Sequence, residues 1–186
     1  TTAVDFTFNS GSSVVTYQTV ARTRLDESFD LADSVLVPAG AYDVTSLGFF
    51  GSTSAARPVV FTVNGESQSV FDGHLGSLTG GMVARVGTHV GISLDGSRNW
   101  VNLPNGALRA DVVSSRLNLA FTTRLFLNAL LQYSSLDRTV SSNVRFQYMY
   151  RPGSDIFLVF SDLRGDLASL STLQSRGVRL KVTYLK

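Results

Sequence analysis

The sequence predicts an all-β fold, an antiparallel up-and-down sheet of about eleven strands. Apolar and polar residues alternate with a period of two along most of the chain, which is typical of strands. No segment has the periodicity of a helix of useful length. The composition agrees, because 16 Gly stand against 4 Pro and aromatic residues make up 10% of the chain, with plentiful Ser, Thr and Val.

The clearest alternation lies in residues 124–150, which predict a strand hairpin. In its first strand one face carries Leu125, Leu127, Ala129, Leu131 and Tyr133. In its second strand Val144, Phe146, Tyr148 and Tyr150 alternate with Asn143, Arg145, Gln147 and Met149. Each run has about ten residues, the length of a tilted strand that crosses a membrane.

The other segments repeat this pattern with varying clarity. The predicted strands are 4–8, 14–22, 41–50, 59–64, 78–86, 89–95, 116–121, 125–133, 143–150, 156–160 and 178–184. Residues 165–174 carry leucines at a spacing of three, which fits either a short helical turn or a serine-rich loop.

The connections between these strands divide into two kinds that alternate along the chain. The short ones are 9–12, 51–57, 87–88, 122–123 and 151–154, and the long ones are 23–40, 65–73, 96–106, 135–142 and 163–175. Outer-membrane barrels combine short periplasmic turns with longer external loops. The sorting therefore predicts a transmembrane β-barrel.

If the short turns are periplasmic, both the first and the last strand run toward the periplasm. Single-chain bacterial barrels usually have an even number of strands, so we expect at least one strand before Thr1. The last strand stops at Lys186 without the terminal aromatic residue that many such proteins carry, so we also expect a few residues after it. Residues 1–186 are then the C-terminal part of one barrel domain, and the upstream strands and an N-terminal domain are absent. Thr1 follows no leader-like segment.

Cationic side chains in the middle of strands also favour a membrane. A cation that faced lipid at the midplane would cost roughly 2–4 kcal/mol, whereas a wet lumen tolerates it. The candidates for lumen-facing residues are Arg85, Arg116, Arg145, Arg179 and Lys181. Tyr133, Tyr148 and Tyr150 lie near strand ends, where interfacial rings are favoured. The alternative is a soluble β-sandwich binding module, whose half-buried sheets show the same alternation.

Two stretches carry a family resemblance, RLFLNALLQY (124–133) and SSNVRFQYMYRPGSDIFLVF (141–160). They resemble the C-terminal barrel of large bacterial outer-membrane proteins of unknown function, which carry a carbohydrate-binding-family-9-like domain before the barrel. Shorter matches occur at 37–42, 71–73 and 179–184. The resemblance is strongest over 117–160 and implies an outer-membrane location. It transfers no catalytic residue.

Composition and motifs argue against several other classes of function. A net charge of +2 gives no field directed at nucleic acid. The absence of cysteine excludes disulfides, thiolate metal sites and a cysteine nucleophile. No apolar run approaches the length of a membrane-spanning helix. No nucleophile elbow or paired acidic motif is present, so we expect no enzymatic activity.

The remaining site candidates have simpler explanations. His74 and His89 are not at metal-ligand spacing. Residues 95–99 and 105–106 match no EF-hand pattern and fit hairpin chemistry better. Trp100 either stacks on a sugar or partner, or covers its own loop or lies at an interface. We therefore expect no metal and no cofactor.

Two membrane functions remain open, with the soluble sandwich as the alternative to both. The first is a pore or transport module in the bacterial outer membrane, whose lumen cations bias it toward anions or form a salt-bridge network. The second is an anchor for a sugar-binding-like domain or a larger assembly. The expected partners are outer-membrane lipid and, with the anchor, other subunits or carbohydrate.

Overall fold

The computed structural model describes residues 1–32, 35–104, 106–165 and 172–185. All regular secondary structure in these residues is β-strand, as predicted. The strands are β1 (Thr2–Thr7), β2 (Ser13–Leu25), β3 (Phe29–Ala32), β4 (Val35–Val37), β5 (Gly40–Ser52), β6 (Val59–Val70), β7 (Gly73–Val86), β8 (Val90–Leu103), β9 (Gly106–Thr122), β10 (Leu125–Ser134), β11 (Thr139–Arg151), β12 (Ser154–Gly165) and β13 (Thr172–Val182).

The main sheet is antiparallel and up-and-down. Its eleven strands follow the order β1-β2-β5-β6-β7-β8-β9-β10-β11-β12-β13, so each strand pairs with its neighbour in the chain apart from the excursion through β3 and β4. Each of the eleven predicted segments overlaps a different strand of this sheet, with bounds that differ by one or two residues at Phe8, His89 and Tyr184, and the prediction of their number is confirmed. The β3–β4 hairpin forms a separate two-stranded sheet and was missed, because its short strands lie within the predicted loop 23–40.

The predicted alternation of short and long connections is wrong. β6 runs to Val70 and β7 begins at Gly73, and β8 runs to Leu103 and β9 begins at Gly106. The supposed loops 65–73 and 96–106 are therefore mostly strand. Their polar residues suggested loops, but a strand whose faces contact water can carry polar side chains on both sides. Within residues 165–174, Gly165 ends β12 and Thr172–Gln174 belong to β13, and the rest lie outside the described residues.

The chain divides into two compact units. Unit 1 comprises residues 1–81 and 97–111, and unit 2 comprises residues 82–96 and 112–186. Strands β7, β8 and β9 therefore contribute residues to both units.

Unit 1 contains a small core at one end of its strands. Tyr42, Val44 and Val70 are buried together, and Phe71 packs against them. The rings of Phe29, in the β3–β4 hairpin, and Tyr42 both meet the Phe71 ring edge to face, with centroids 6.1 Å and 5.0 Å away. The Tyr42 hydroxyl donates to the Pro38 carbonyl oxygen at 2.8 Å. These contacts fix the hairpin on the sheet.

The β6–β7 turn has an unusual backbone for its sequence. Phe71 and Asp72 have φ of 56° and 58°, a left-handed conformation that Gly and Asn adopt more easily than a bulky residue. The aromatic contacts of Phe71 hold this strained turn, as packing must where a side chain disfavours its backbone.

Glycines lie beneath aromatic rings on neighbouring strands. Gly48 is paired in register with Tyr17, and Gly65 with Phe49. A Cβ atom added at Gly48 would overlap the Tyr17 ring, and one at Gly65 would overlap the Phe49 ring. An aromatic ring that covers a strand glycine in this way stabilises the pairing and the register.

We expect Gly48→Ala to lower the free energy of unfolding by about 1–3 kcal/mol, because the Tyr17 ring must leave its position. Gly80→Ala is the matched control, since a Cβ there meets no atom within 4 Å. It should be neutral or stabilising by about 0.5–1 kcal/mol. Denaturant titration of both variants measures the difference, and equal effects would contradict the proposed contact.

Candidate functional site

Unit 2 has one face that is almost continuously apolar. The register places Leu127 between Leu119 and Phe146, and Phe146 beside Leu158, which in turn pairs with Leu180. Residues two positions away extend this band, namely Leu117, Leu125, Ala129, Val144, Tyr148, Ile156, Phe160, Val178 and Val182. We call this surface the unit 2 apolar face.

Within the described residues, this face is not buried. Among the described residues of unit 2, none of the buried side chains is hydrophobic. Leu131 is 51% exposed, and Val178 and Leu180 are 66% and 69% exposed. A soluble domain covers its apolar face with a second layer of structure, and the described residues of unit 2 form a single sheet without such a layer.

Cationic residues lie on the opposite face. Arg116 pairs with Leu130, Arg145 with Asn128, Arg179 with Val159 and Lys181 with Phe157. Along each strand these positions alternate with residues of the unit 2 apolar face, so their side chains lie on the other side of the sheet. The sequence candidates Arg116, Arg145, Arg179 and Lys181 therefore share one surface, which we call the unit 2 polar face. The Arg145 guanidinium lies 5.8 Å from the centre of the Phe157 ring.

Arg85, the remaining candidate, lines a cavity of about 460 Å³ in unit 2 with His89, Asn118 and Asn128. Asn118 and Asn128 pair with each other in register and belong to the polar face. The structure thus brings Arg85 to the same side as the other candidate cations.

Unit 1 is also two-sided. One face carries Phe6, Leu47 and Phe61, which are 55%, 63% and 53% exposed, and Val14 and Phe49 share it by register. We call it the unit 1 apolar face. The opposite face carries Tyr17, Asn64 and Glu66, and its end is covered by the β3–β4 hairpin and the Tyr42 cluster.

Trp100 lies on the unit 1 apolar face. It lines a groove of about 460 Å³ with Leu47, Phe49 and Leu78, and its indole covers Gly76 on the adjacent strand. The sequence pattern predicts a loop at Trp100, whereas the structure places this residue within β8. An amphipathic indole on an exposed apolar face is typical of a membrane interface or a partner surface.

The other candidate residues do not form a metal site in the described part of the chain. His74 Nδ1 lies 3.3 Å from the Ser69 hydroxyl, and His89 Nδ1 lies 3.2 Å from the Thr88 hydroxyl. Residues 95–99 are part of β8, and Asn105 lies outside the described residues. Over the described ranges, no group of three or more His, Cys, Asp or Glu is arranged to hold a metal ion.

No protein-family model matches the chain, and no curated protein matches it. The residues that the structure describes contain no helix long and apolar enough to span a membrane. The two faces of the sheet are therefore the features that bear on function.

We expect Gly76→Ala to displace the indole of Trp100, because an added Cβ would overlap its ring. The chain has a single tryptophan, so its fluorescence emission reports this site directly. The emission maximum should shift to longer wavelength as the ring becomes more hydrated. Gly80→Ala lies on the same strand and should leave the emission unchanged. An unshifted spectrum in Gly76→Ala would refute the stacking.

Proposed function

We propose that the chain forms the wall of a bacterial outer-membrane β-barrel and serves as a pore or transport module. The observation that carries the proposal is the uncovered apolar face of unit 2, opposite a face with Arg116, Arg145, Arg179 and Lys181. Lipid provides an apolar environment for the first face, and a water-filled interior solvates the charged groups of the second.

Strand length supports the same proposal. β5, β7 and β9 have 13, 14 and 17 residues, whereas strands of soluble proteins usually have about five or six. A membrane crossing needs about 9–11 residues, so these strands span the hydrocarbon and extend beyond it. Residues 117–160, which resemble the C-terminal barrel of outer-membrane proteins, contain much of the unit 2 apolar face and agree with this location.

The positions of the tyrosines also support a sheet that spans a bilayer. Tyr133 lies near one end of the unit 2 apolar face, and Tyr148 and Tyr150 lie near the other. Aliphatic residues and phenylalanine fill the space between them. Aromatic rings at both borders of an apolar band are the pattern of residues at the two membrane interfaces.

The polar face gives the proposed pore its selectivity. Its guanidinium and ammonium groups favour anions in a narrow aqueous path. A membrane anchor for a sugar-binding-like domain would need no such path.

A soluble sandwich is disfavoured by the same exposures. Two packed sheets bury their facing apolar residues in a shared core. Leu180 and Val182, at 69% and 59% exposed, belong to no such core. The sandwich predicts that these side chains are covered.

The lipid-facing assignment predicts effects of very different size when arginine replaces the residue at two adjacent positions. We expect Leu127→Arg to lower the free energy of unfolding from a bilayer by about 2–4 kcal/mol, because the charge enters the hydrocarbon. Asn128→Arg, on the polar face, should change it by less than about 1 kcal/mol. Urea titration in lipid vesicles measures both, and similar effects at the two positions would contradict the assignment.

The pore assignment predicts anion-selective conductance in planar bilayers. Arg145→Gln should lower the ratio of anion to cation permeability, because it removes a charge from the polar face. Arg124→Gln, in the β9–β10 turn outside the strands, is the control and should change this ratio less. Absence of current at any voltage would overturn the pore and leave the anchor.

A further inference from the structure

The unit 2 polar face carries a small apolar surface between its cations. Phe157 and Val159 project from β12 on this side of the sheet, because they alternate with Leu158 of the unit 2 apolar face. Both side chains are half-buried. We call this pair the β12 apolar strip. Binding sites for organic solutes combine such apolar contacts with a few polar groups, so the position of the cations beside the strip decides what it can bind.

Cations flank the β12 apolar strip on both sides. Val159 pairs in register with Arg145 on β11 and with Arg179 on β13, so these three residues form one row across the sheet. Phe157 pairs with Lys181 in the next row of the same face. The Cα atoms of the two arginines are therefore two strand spacings apart, about 9–10 Å. A ligand on the strip has Arg145 on one side and Arg179 and Lys181 on the other.

The Arg145 side chain is directed toward the strip. Its guanidinium carbon lies 5.8 Å from the centre of the Phe157 ring, although the register partner of Arg145 is Val159. The side chain thus leans along the strands toward the row of Lys181. A cation over an aromatic ring is attracted by it, and this contact limits the conformations of Arg145. Arg145 and Lys181 therefore both neighbour the Phe157 ring.

Positive charge exceeds negative charge around the strip. Among the described residues, Arg145, Arg179 and Lys181 form no ion pair. The carboxylate that follows Phe157 on the same face of β12 is Asp155, and it accepts a hydrogen bond from Gln147 Nε2 at 3.0 Å. Three cations thus stand beside one carboxylate, and a dianion would balance the difference.

We propose that Arg145, Arg179 and Lys181 together with the β12 apolar strip bind a phosphate monoester with an apolar body, the class of solute that the proposed pore admits. A phosphomonoester carries a charge of about −1.5 to −2 at pH 7 and three acceptor oxygens. Guanidinium groups bind such oxygens through paired N–H donors, and an ammonium group adds a point charge. The inference rests on the proposed pore, because the polar face there lines the path of the solute.

The strip favours an organic ester over inorganic phosphate. Both ligands contact the cations, but only the ester has an apolar part that Phe157 and Val159 can contact. The cations are exposed, so each contributes modestly to binding in water. Weak binding suits a pore, since a solute must bind well enough to enter and loosely enough to leave.

The test titrates phenyl phosphate against the chloride current of the full protein in planar bilayers, with inorganic phosphate for comparison. We expect phenyl phosphate to block at the lower concentration, because its ring contacts the strip. Arg145→Gln and Lys181→Gln should each raise the concentration for half block roughly fivefold. Phe157→Thr removes the ring and should abolish the preference for phenyl phosphate over inorganic phosphate.

Arg116→Gln is the matched control, because it removes one charge from the same face far from Phe157. The register places Arg116 three strands away from β12, in the row of Ser161. Its Cα atom is therefore about 14 Å across the strands and about 13 Å along them from Phe157. That separation exceeds the screening length of about 10 Å at 0.1 M salt. The concentration of phenyl phosphate for half block should stay unchanged in this variant.

Three results would overturn the inference and leave the pore standing, provided that the chloride current persists. The first is equal block of the unchanged protein and Arg145→Gln. The second is an equal loss of block in Arg116→Gln, which would indicate a general charge effect. The third is equal block by inorganic phosphate and phenyl phosphate, which would exclude a contribution from the strip.

Absence of current in the unchanged protein would overturn the pore itself. Calorimetric titration of phenyl phosphate into the full protein in neutral detergent then tests the binding site separately. Binding by the unchanged protein that is weakened in Arg145→Gln and retained in Arg116→Gln would support the site. Equal binding by all three proteins, or no binding by any of them, would overturn it.

Discussion

The structure depends on an apolar sheet face that the described part of the chain leaves uncovered. In most domains a sheet buries its apolar side against a second layer, and that burial supplies the main favourable free energy of folding. In unit 2 the register instead aligns Leu119, Leu127, Phe146, Leu158 and Leu180 into a band open to the surroundings. The stability of this unit therefore depends on what the band contacts.

The local contacts that hold neighbouring strands together are consistent with this exposed apolar face. Without a thick core, register must be fixed within the sheet itself. Tyr17 over Gly48, Phe49 over Gly65 and Trp100 over Gly76 fix neighbouring strands by shape, and long antiparallel ladders supply the backbone hydrogen bonds. The small core under the β3–β4 hairpin is the exception, and it lies at a strand end, where it closes a face rather than supporting the whole sheet.

Sequence reasoning predicted the strands well and the connections poorly, for one physical reason. Alternation at Leu125–Tyr133 or Val144–Tyr150 reflects the two faces directly, so strand identity and the shared face of Arg116, Arg145, Arg179 and Lys181 could be read from it. Polar runs such as Ser67–Ser69 look like loops under the same rule, yet they continue β6. The ion pairs of Asp162 with Arg176 and of Asp111 with Arg98 join residues on different strands, and their pairing needs register that no single-strand pattern contains.

The most direct test of the central claim is a depth measurement along one strand pair in lipid vesicles. The chain contains no cysteine, so single cysteines at Leu127, Asn128, Phe146 and Gln147 can each carry one fluorescent label. The account predicts strong quenching by spin labels on lipid acyl chains at Leu127 and Phe146, and quenching by water-soluble iodide at Asn128 and Gln147. Equal quenching by iodide at all of these positions would contradict it.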